Sequence, residues 1–138
     1  MSFARRIVID TGVLVSAVIC PESIPALAVE KAFLNFDVCI SIDSFAELQK
    51  VLMRPKFNRY VEMDARQEFI QGFVQRAVLI DVKETVVDCI DPKDNKFLAL
   101  AYTAEAELIL ASDPHLNDMH PWRDIPIIPP AAFLVGIN

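Results

Sequence analysis

The stretch RRIVIDTGVLVSAVI, residues 5–19, holds the reading of the fold. Its first half is a short run of Ile and Val closed by Asp10, the pattern of a parallel strand buried on both faces. From Gly12 onward VLVSAVI suits a helix that must stop near Pro21. A strand passing into a helix across Asp10-Thr11-Gly12 is the opening of a β-α unit.

The rest of the chain continues that alternation. IPALAVEKAFLNF carries apolar residues at helical spacing, and DVCIS is a second short strand. SFAELQKVLM is a helix with Phe45, Leu48 and Leu52 on one face and a stop at Pro55. DARQEFIQGFVQRA is a further helix, VLIDV a strand, and DNKFLALAYTAEA an amphipathic helix with the stripe Asp94, Phe97, Leu98 and Ala101. LILAS and IPIIP are the remaining strands, and the short segment PAAFLVGI closes the chain. No linker, repeat or low-complexity segment divides it. The expectation is one α/β domain over residues 1–138, a three-layer α/β/α sandwich around a mainly parallel sheet.

Composition narrows the function. The chain has 138 residues, 54% of them hydrophobic, enough for a substantial core. Its apolar runs fall short of the roughly 20 residues that cross a bilayer, and Asp10 interrupts the only N-terminal run resembling a signal. A cytoplasmic protein with no membrane segment is expected. The net charge of −6 argues against a broad non-specific nucleic-acid surface, though not against a small metal-dependent site. Arg54, Lys56 and Arg59 in MRPKFNRY form a local basic group, readable as cations at a helix C-terminus or as a phosphate contact. Cys20, Cys39 and Cys89 lack disulfide or zinc-site spacing and read as buried small hydrophobes. His115 and His120, in SDPHLNDMHPWRD, read as surface-loop residues.

Four acids stand at strand-to-helix junctions: Asp10 after the first strand, Glu47 early in the helix after the second, Asp94 opening the amphipathic helix, and Asp113 after LILAS. Each has a local alternative. Ser44 and Glu47 fit the capping box S-x-x-E; Asp91-Pro92-Lys93-Asp94 and Asp113-Pro114 fit an N-cap followed by proline, and Asp10 fits a cap of its own helix. Topology argues for more, because every strand-to-helix turn of a parallel sheet emerges on the same edge, where such folds bind ligands. Converging carboxylates repel: one pair at 4 Å costs about 4 kcal/mol at an effective dielectric of 20. Protonation or a cation relieves that, and an all-carboxylate set suits Mg2+ or Mn2+ better than zinc. One or two such ions point to phosphodiester hydrolysis.

In chain order, IVIDTGVLVSA, FAELQKVLMRPKF, DPKDNKFLALA, LILASD and IPIIPPAAFL resemble the PIN domain, in the VapC-type branch of toxin components of toxin–antitoxin pairs. The resemblance implies a metal-dependent ribonuclease with Asp10, Glu47, Asp94 and Asp113 as catalytic metal ligands. It implies supporting roles for Thr11, Ser112 and Asn95, and substrate contacts from Lys96 and Arg54, with a solvent-facing lysine as the alternative for Lys96. RNA as substrate, an antitoxin as partner and a homodimer follow as further expectations. The chain departs from the family at Gly12, where Asn is usual, and so lacks a side-chain amide near Asp10.

Two other readings of Asp10-Thr11-Gly12 fail. Aspartic proteases are all-β, and here the residues after Gly12 read as helix, while Gly72 and Gly136 lie in no second such tripeptide. A phosphatase with a first-strand Asp nucleophile would want an acid at position 12. A module of the same fold that binds a partner, with weak or lost activity, is the remaining rival; metal dependence separates the two.

Overall fold

The computed structural model describes residues 5–136. Five strands and seven α-helices follow one another as β1 (Arg6–Ile9), α1 (Thr11–Ile19), α2 (Ile24–Asn35), β2 (Asp37–Ile40), α3 (Ile42–Leu52), α4 (Met63–Arg76), β3 (Val78–Leu79), α5 (Asn95–Ala104), β4 (Leu108–Leu110), α6 (Pro114–Asn117), β5 (Ile127–Ile128) and α7 (Pro130–Gly136). Short 3-10 turns occupy Pro55–Phe57 and Pro92–Asp94. The strands form one sheet in the order β3-β2-β1-β4-β5, and every pairing is parallel. The expected α/β sandwich is the observed fold.

Strand periodicity divides the core into two layers. Ile7, Ile9, Val38, Ile40, Leu108 and Leu110 face one side, where they pack with Val13, Ala28, Leu48, Leu52, Phe73 and Phe133 from α1, α2, α3, α4 and α7. Val8, Cys39, Ile109 and Ile127 face the other, against Phe97, Leu98 and Ala101 of α5. This second layer is completed largely by irregular chain, with Val86, Cys89 and Trp122 buried there beside Leu116 of the short α6. The stripe read from DNKFLALA is correct, since Asp94, Phe97, Leu98 and Ala101 are all buried.

The two edge strands are shorter than VLIDV and IPIIP suggest. Beyond Leu79, one further bond, Ile80 N–H to the Ile40 carbonyl at 2.8 Å, continues the ladder before the chain leaves the sheet. In β5, Pro126 and Pro129 flank the two paired residues, and neither can donate to a neighbouring strand. Pro126 still accepts from Ile109 N–H at 2.9 Å.

α3 starts earlier than its apolar pattern suggests. Ser41 is the N-cap: its hydroxyl accepts from Ser44 N–H at 3.1 Å, and the Ser44 hydroxyl accepts from Ser41 N–H at 2.9 Å. The capping box is therefore Ser41 with Ser44, and the pairing of Ser44 with Glu47 expected from S-x-x-E does not form. A reciprocal serine pair satisfies the end of the helix, which leaves Glu47 a turn further on and available elsewhere. Among the cysteines, Cys39 and Cys89 are buried as expected, whereas Cys20 is exposed just past the end of α1.

α3 is held at its other end by an unexpected residue. Arg66 of α4 is fully buried. Its guanidinium donates to the carbonyls of Leu52 at 2.9 Å, Arg54 at 3.2 Å and Val61 at 3.2 Å, and to Asn58 Oδ1. A planar fork of five donors suits this ring of oxygens. It closes the open carbonyl end of α3 and ties α3 to α4.

The topology marks a candidate ligand site. From β1 the chain steps outward to β2 and β3, then returns to add β4 and β5 on the opposite side of β1. The order reverses between β1 and β4, and in an open parallel sheet the crevice beyond the strand ends at such a point is the usual binding position. Asp10 follows β1 there, and Asp113 lies just beyond β4.

Candidate active site

Asp10 joins the two halves of the crevice. It is 3% exposed and caps α1, with Oδ1 accepting from Val13 N–H at 2.8 Å. Oδ2 accepts across the switch point from Ser112 N–H at 3.0 Å and Asp113 N–H at 3.3 Å. The cap and the site are thus one arrangement, not alternatives. Burial pushes its carboxyl up to about 6; those three backbone donors pull down, and the charge of Asp113 adds to the rise.

Asp94 closes the 3-10 turn begun by Asp91, whose side chain accepts from Lys93 N–H at 3.2 Å. It is 5% exposed, and among the described residues its Oδ2 has no hydrogen-bond donor. Burial pushes its carboxyl up to about 7, followed by its hydrogen-bonding contact with Asp113 and the charges of Asp113, Asp91 and Asp10. Asp113 caps α6 through His115 N–H at 2.8 Å.

Glu47 approaches from α3 and is differently placed. One carboxylate oxygen accepts from the Thr11 hydroxyl at 2.5 Å, and the other pairs with the Lys96 ammonium at 2.7 Å. Lys96 also donates to the Lys93 carbonyl. Glu47 thus has its own counterion, while Asp10, Asp94 and Asp113 have none within salt-bridge distance among the described residues beyond His115, 3.8 Å from Asp113.

These four acids line a cleft of about 600 Å³ together with Thr11, Gly12, Ser112, Lys96 and Arg54. Lys50 and Lys93 line it too, although sequence reasoning did not single them out. Lys50 is legible after the fact, since it lies one turn after Glu47 on α3. Asn95 is the exception among the expected residues: its Oδ1 accepts from Cys89 N–H at 2.8 Å, and the residue is outside the cleft lining. A Cβ at Gly12 would stand 3.1 Å from Ser112 Oγ and 3.7 Å from Asp10 Oδ1. Glycine therefore leaves open the corner where a side chain would meet both.

The donor set fits a hard divalent cation. Carboxylates supply its preferred oxygens, a buried oxygen of Asp94 lacks a partner among the described residues, and the carboxyls of Asp10 and Asp94 are held above their ordinary range by burial first and by neighbouring carboxylates second.

Fold and site together define a parallel α/β protein with an acidic cleft at the switch point of its sheet. A family model described as PIN domain matches residues 6–115, and the chain belongs to that family. PIN domains are generally nucleases, and divalent metals are typical of them. An uncharacterised protein of Methanocaldococcus jannaschii, MJ1680, is 30% identical over 116 residues, which cover 80% of this chain and 72% of that protein. Among solved structures, VapBC2 from Rickettsia felis, crystallised with a DNA fragment from its promoter, matches in fold with a TM-score of 0.63 at 16% identity. That match covers 90% of this chain and 98% of the other.

Proposed function

We propose that this protein is a metal-dependent endoribonuclease that hydrolyses phosphodiester bonds in single-stranded RNA. The observation that carries the reading is the group of acids at the switch point, Asp10 and Asp94 buried and Asp113 half-buried, with an oxygen of Asp94 unpartnered among the described residues. Asp10, Asp94 and Asp113 would hold Mg2+ or Mn2+, with Glu47 nearby. When bound, such a cation supplies an activated water and neutralises charge on the scissile phosphate.

The chain's own residues prepare the site around that chemistry. Asp10 is held by three backbone N–H groups, so its carboxylate is fixed before any ligand arrives. Lys50, Arg54, Lys93 and Lys96 give an acidic protein a cationic rim at this one cleft, suited to the phosphates flanking the scissile bond. Next to it lies an apolar pocket of about 540 Å³ sharing Thr11, Gly12 and Val51 with the cleft and lined by Val15, Ile19 and Phe57. It suits an unstacked base, the feature by which single strands are gripped.

We further infer that the protein acts as the toxin of a toxin–antitoxin pair and forms a homodimer. The fold match to VapBC2 supports an antitoxin partner, and the family resemblance supports the dimer.

The test is cleavage of labelled single-stranded RNA by purified protein with Mg2+, Mn2+ or EDTA, beside Asp94→Asn. Asp94→Asn is a cleaner control than Asp10→Asn, since an amide at position 10 would lose backbone donors that now fix the turn. Cleavage that needs the cation and is lost in a folded Asp94→Asn supports the enzyme. Equal cleavage in EDTA would contradict the metal dependence, and a protein inert with every divalent ion supports a partner-binding module of the same fold.

A further inference from the structure

Asp91 and His115 stand beside the cleft and belong to neither its lining nor the chemistry proposed for it; Asp91 caps the 3-10 turn that Asp94 closes, and His115 comes from α6. The ligating atoms of Asp91, Asp94 and His115 lie within 4.8 Å of one another. His115 Nδ1 is 3.9 Å from Asp91 Oδ2 and 3.8 Å from Asp113 Oδ1. Two ligands of one ion, each about 2.1 Å from it, are separated by at most about 4.2 Å. The side chains therefore need only a small closing movement. The backbone that carries them is braced: His115 N–H donates to Asp113 Oδ1 at 2.8 Å, and the Cys89 thiol donates to the His115 carbonyl at 3.7 Å.

A group of acids alone would say little, but Asp94 adds an independent sign. It is 5% exposed, and its Oδ2 is both shielded from solvent and without a donor. A buried carboxylate oxygen in that state is costly unless a cation or proton satisfies it.

The geometry points to a mixed imidazole and carboxylate site, formed by Asp91, Asp94 and His115, for a borderline divalent transition-metal ion of the Co2+ to Zn2+ kind. An imidazole nitrogen favours such ions, whereas Mg2+ prefers an all-oxygen set. Lys93, 3.6 Å from Asp91 and well exposed, moves aside when the ion enters. The site shares Asp94 with the cleft and rests on the nuclease reading only through that residue, because ion binding here needs no RNA.

The chain has two histidines, which makes the test direct. His120 is already used, its Nδ1 accepting from Ile127 N–H at 2.9 Å. In 15N-labelled full-length protein, Zn2+ is expected to shift the imidazole signals of His115 and to leave those of His120 in place. In calorimetry, His115→Gln and Asp91→Asn are expected to weaken Zn2+ and Co2+ binding by at least about tenfold, given that losing even an outer-sphere partner costs about 10–100-fold. Mg2+ binding, measured in parallel, should respond far less to His115→Gln. Since His115 is exposed, the variant is expected to fold, and its circular dichroism and melting confirm that. Unmoved His115 signals at saturating Zn2+, equal shifts of both histidines, or wild-type Zn2+ affinity in folded His115→Gln would each overturn the inference. RNA cleavage with Mg2+ is a separate readout, so the nuclease reading can fail while this site stands, and the reverse.

Discussion

Arg66 on α4 and Asp94 at the head of α5 are both buried, at 0% and 5% exposure, and both carry an ionisable group. Arg66 has no carboxylate within salt-bridge distance among the described residues, yet three carbonyls and an amide oxygen surround its guanidinium. Asp94 sits among Asp10, Asp91 and Asp113 with one oxygen lacking a hydrogen-bond donor among the described residues, and burial pushes its carboxyl up to about 7. Burial is common to the two, and satisfaction separates them. A satisfied buried charge holds a fold together; an unsatisfied one, at the edge where a parallel sheet presents its ligands, is poised for something to bind.

The contrast breaks most visibly at Arg66. Arg66→Leu removes the donors from four buried or half-buried oxygens, and a loss on the order of 3–5 kcal/mol is expected in urea unfolding. A change below about 1 kcal/mol would mean that the ring of carbonyls contributes little. Asp94→Asn is expected to do the reverse: RNA cleavage falls by about 10²–10³-fold, while the metal-free protein at pH 8 gains on the order of 2 kcal/mol as the burial of a charge, and with it the repulsion from its acidic neighbours, is removed. The same urea series measures that gain.

Adding Mg2+ to the wild type is expected to raise stability by about 2.7 kcal/mol at one hundred times the dissociation constant, and to do so weakly in Asp94→Asn. pH gives a further handle. The carboxyls of Asp10 and Asp94 are raised above 3.8, to about 6 and about 7, so the folded protein holds these protons more tightly than the unfolded chain. Their contribution is full below about pH 4 and is lost as pH rises through 6 to 7. Chelator-treated protein should therefore melt lower at pH 8 than at pH 5, and saturating Mg2+ should narrow the difference. The smallest effect belongs to Lys96→Gln. It leaves Glu47 with Thr11 alone, and cleavage is expected to fall roughly tenfold or less, the scale of one charge-assisted contact, mainly through KM if Lys96 meets a phosphate.

What the sequence made legible follows from local rules. Short apolar runs leading into an Asp, Ile and Val before Asp10 and Leu-Ile-Leu-Ala-Ser before Asp113, placed β1 and β4, the stripe from Asp94 to Ala101 placed α5, and topology then gathered the acids on one edge. Asp10 and Asp113 are caps as well as cleft residues, so the two readings of each were never exclusive. Tertiary approach hid the rest. In DARQEFIQGF, Arg66 looks like any solvent-facing helix residue, because its partners come from the end of α3 and the loop after it. Ser41 displaced Glu47 from the capping box, and a serine four residues before Phe45, where the apolar pattern begins, is a weak signal. The meeting of His115 with Asp91 depends on how the one-turn helix α6 and the 3-10 turn after Asp91 approach each other, which no periodicity encodes. Asn95 shares a block with Asp94 but turns to Cys89, since adjacent residues on a helix point in different directions.

The central claim is that Asp10, Asp94 and Asp113 form a cleft completed by a divalent cation. Calorimetric titration of Mn2+ into chelator-treated wild type and Asp94→Asn at pH 7.5 tests it most directly. Saturable binding to the wild type, weakened at least about tenfold in a folded Asp94→Asn, is the predicted result. Equal binding by the two proteins, or no binding by either, would contradict it.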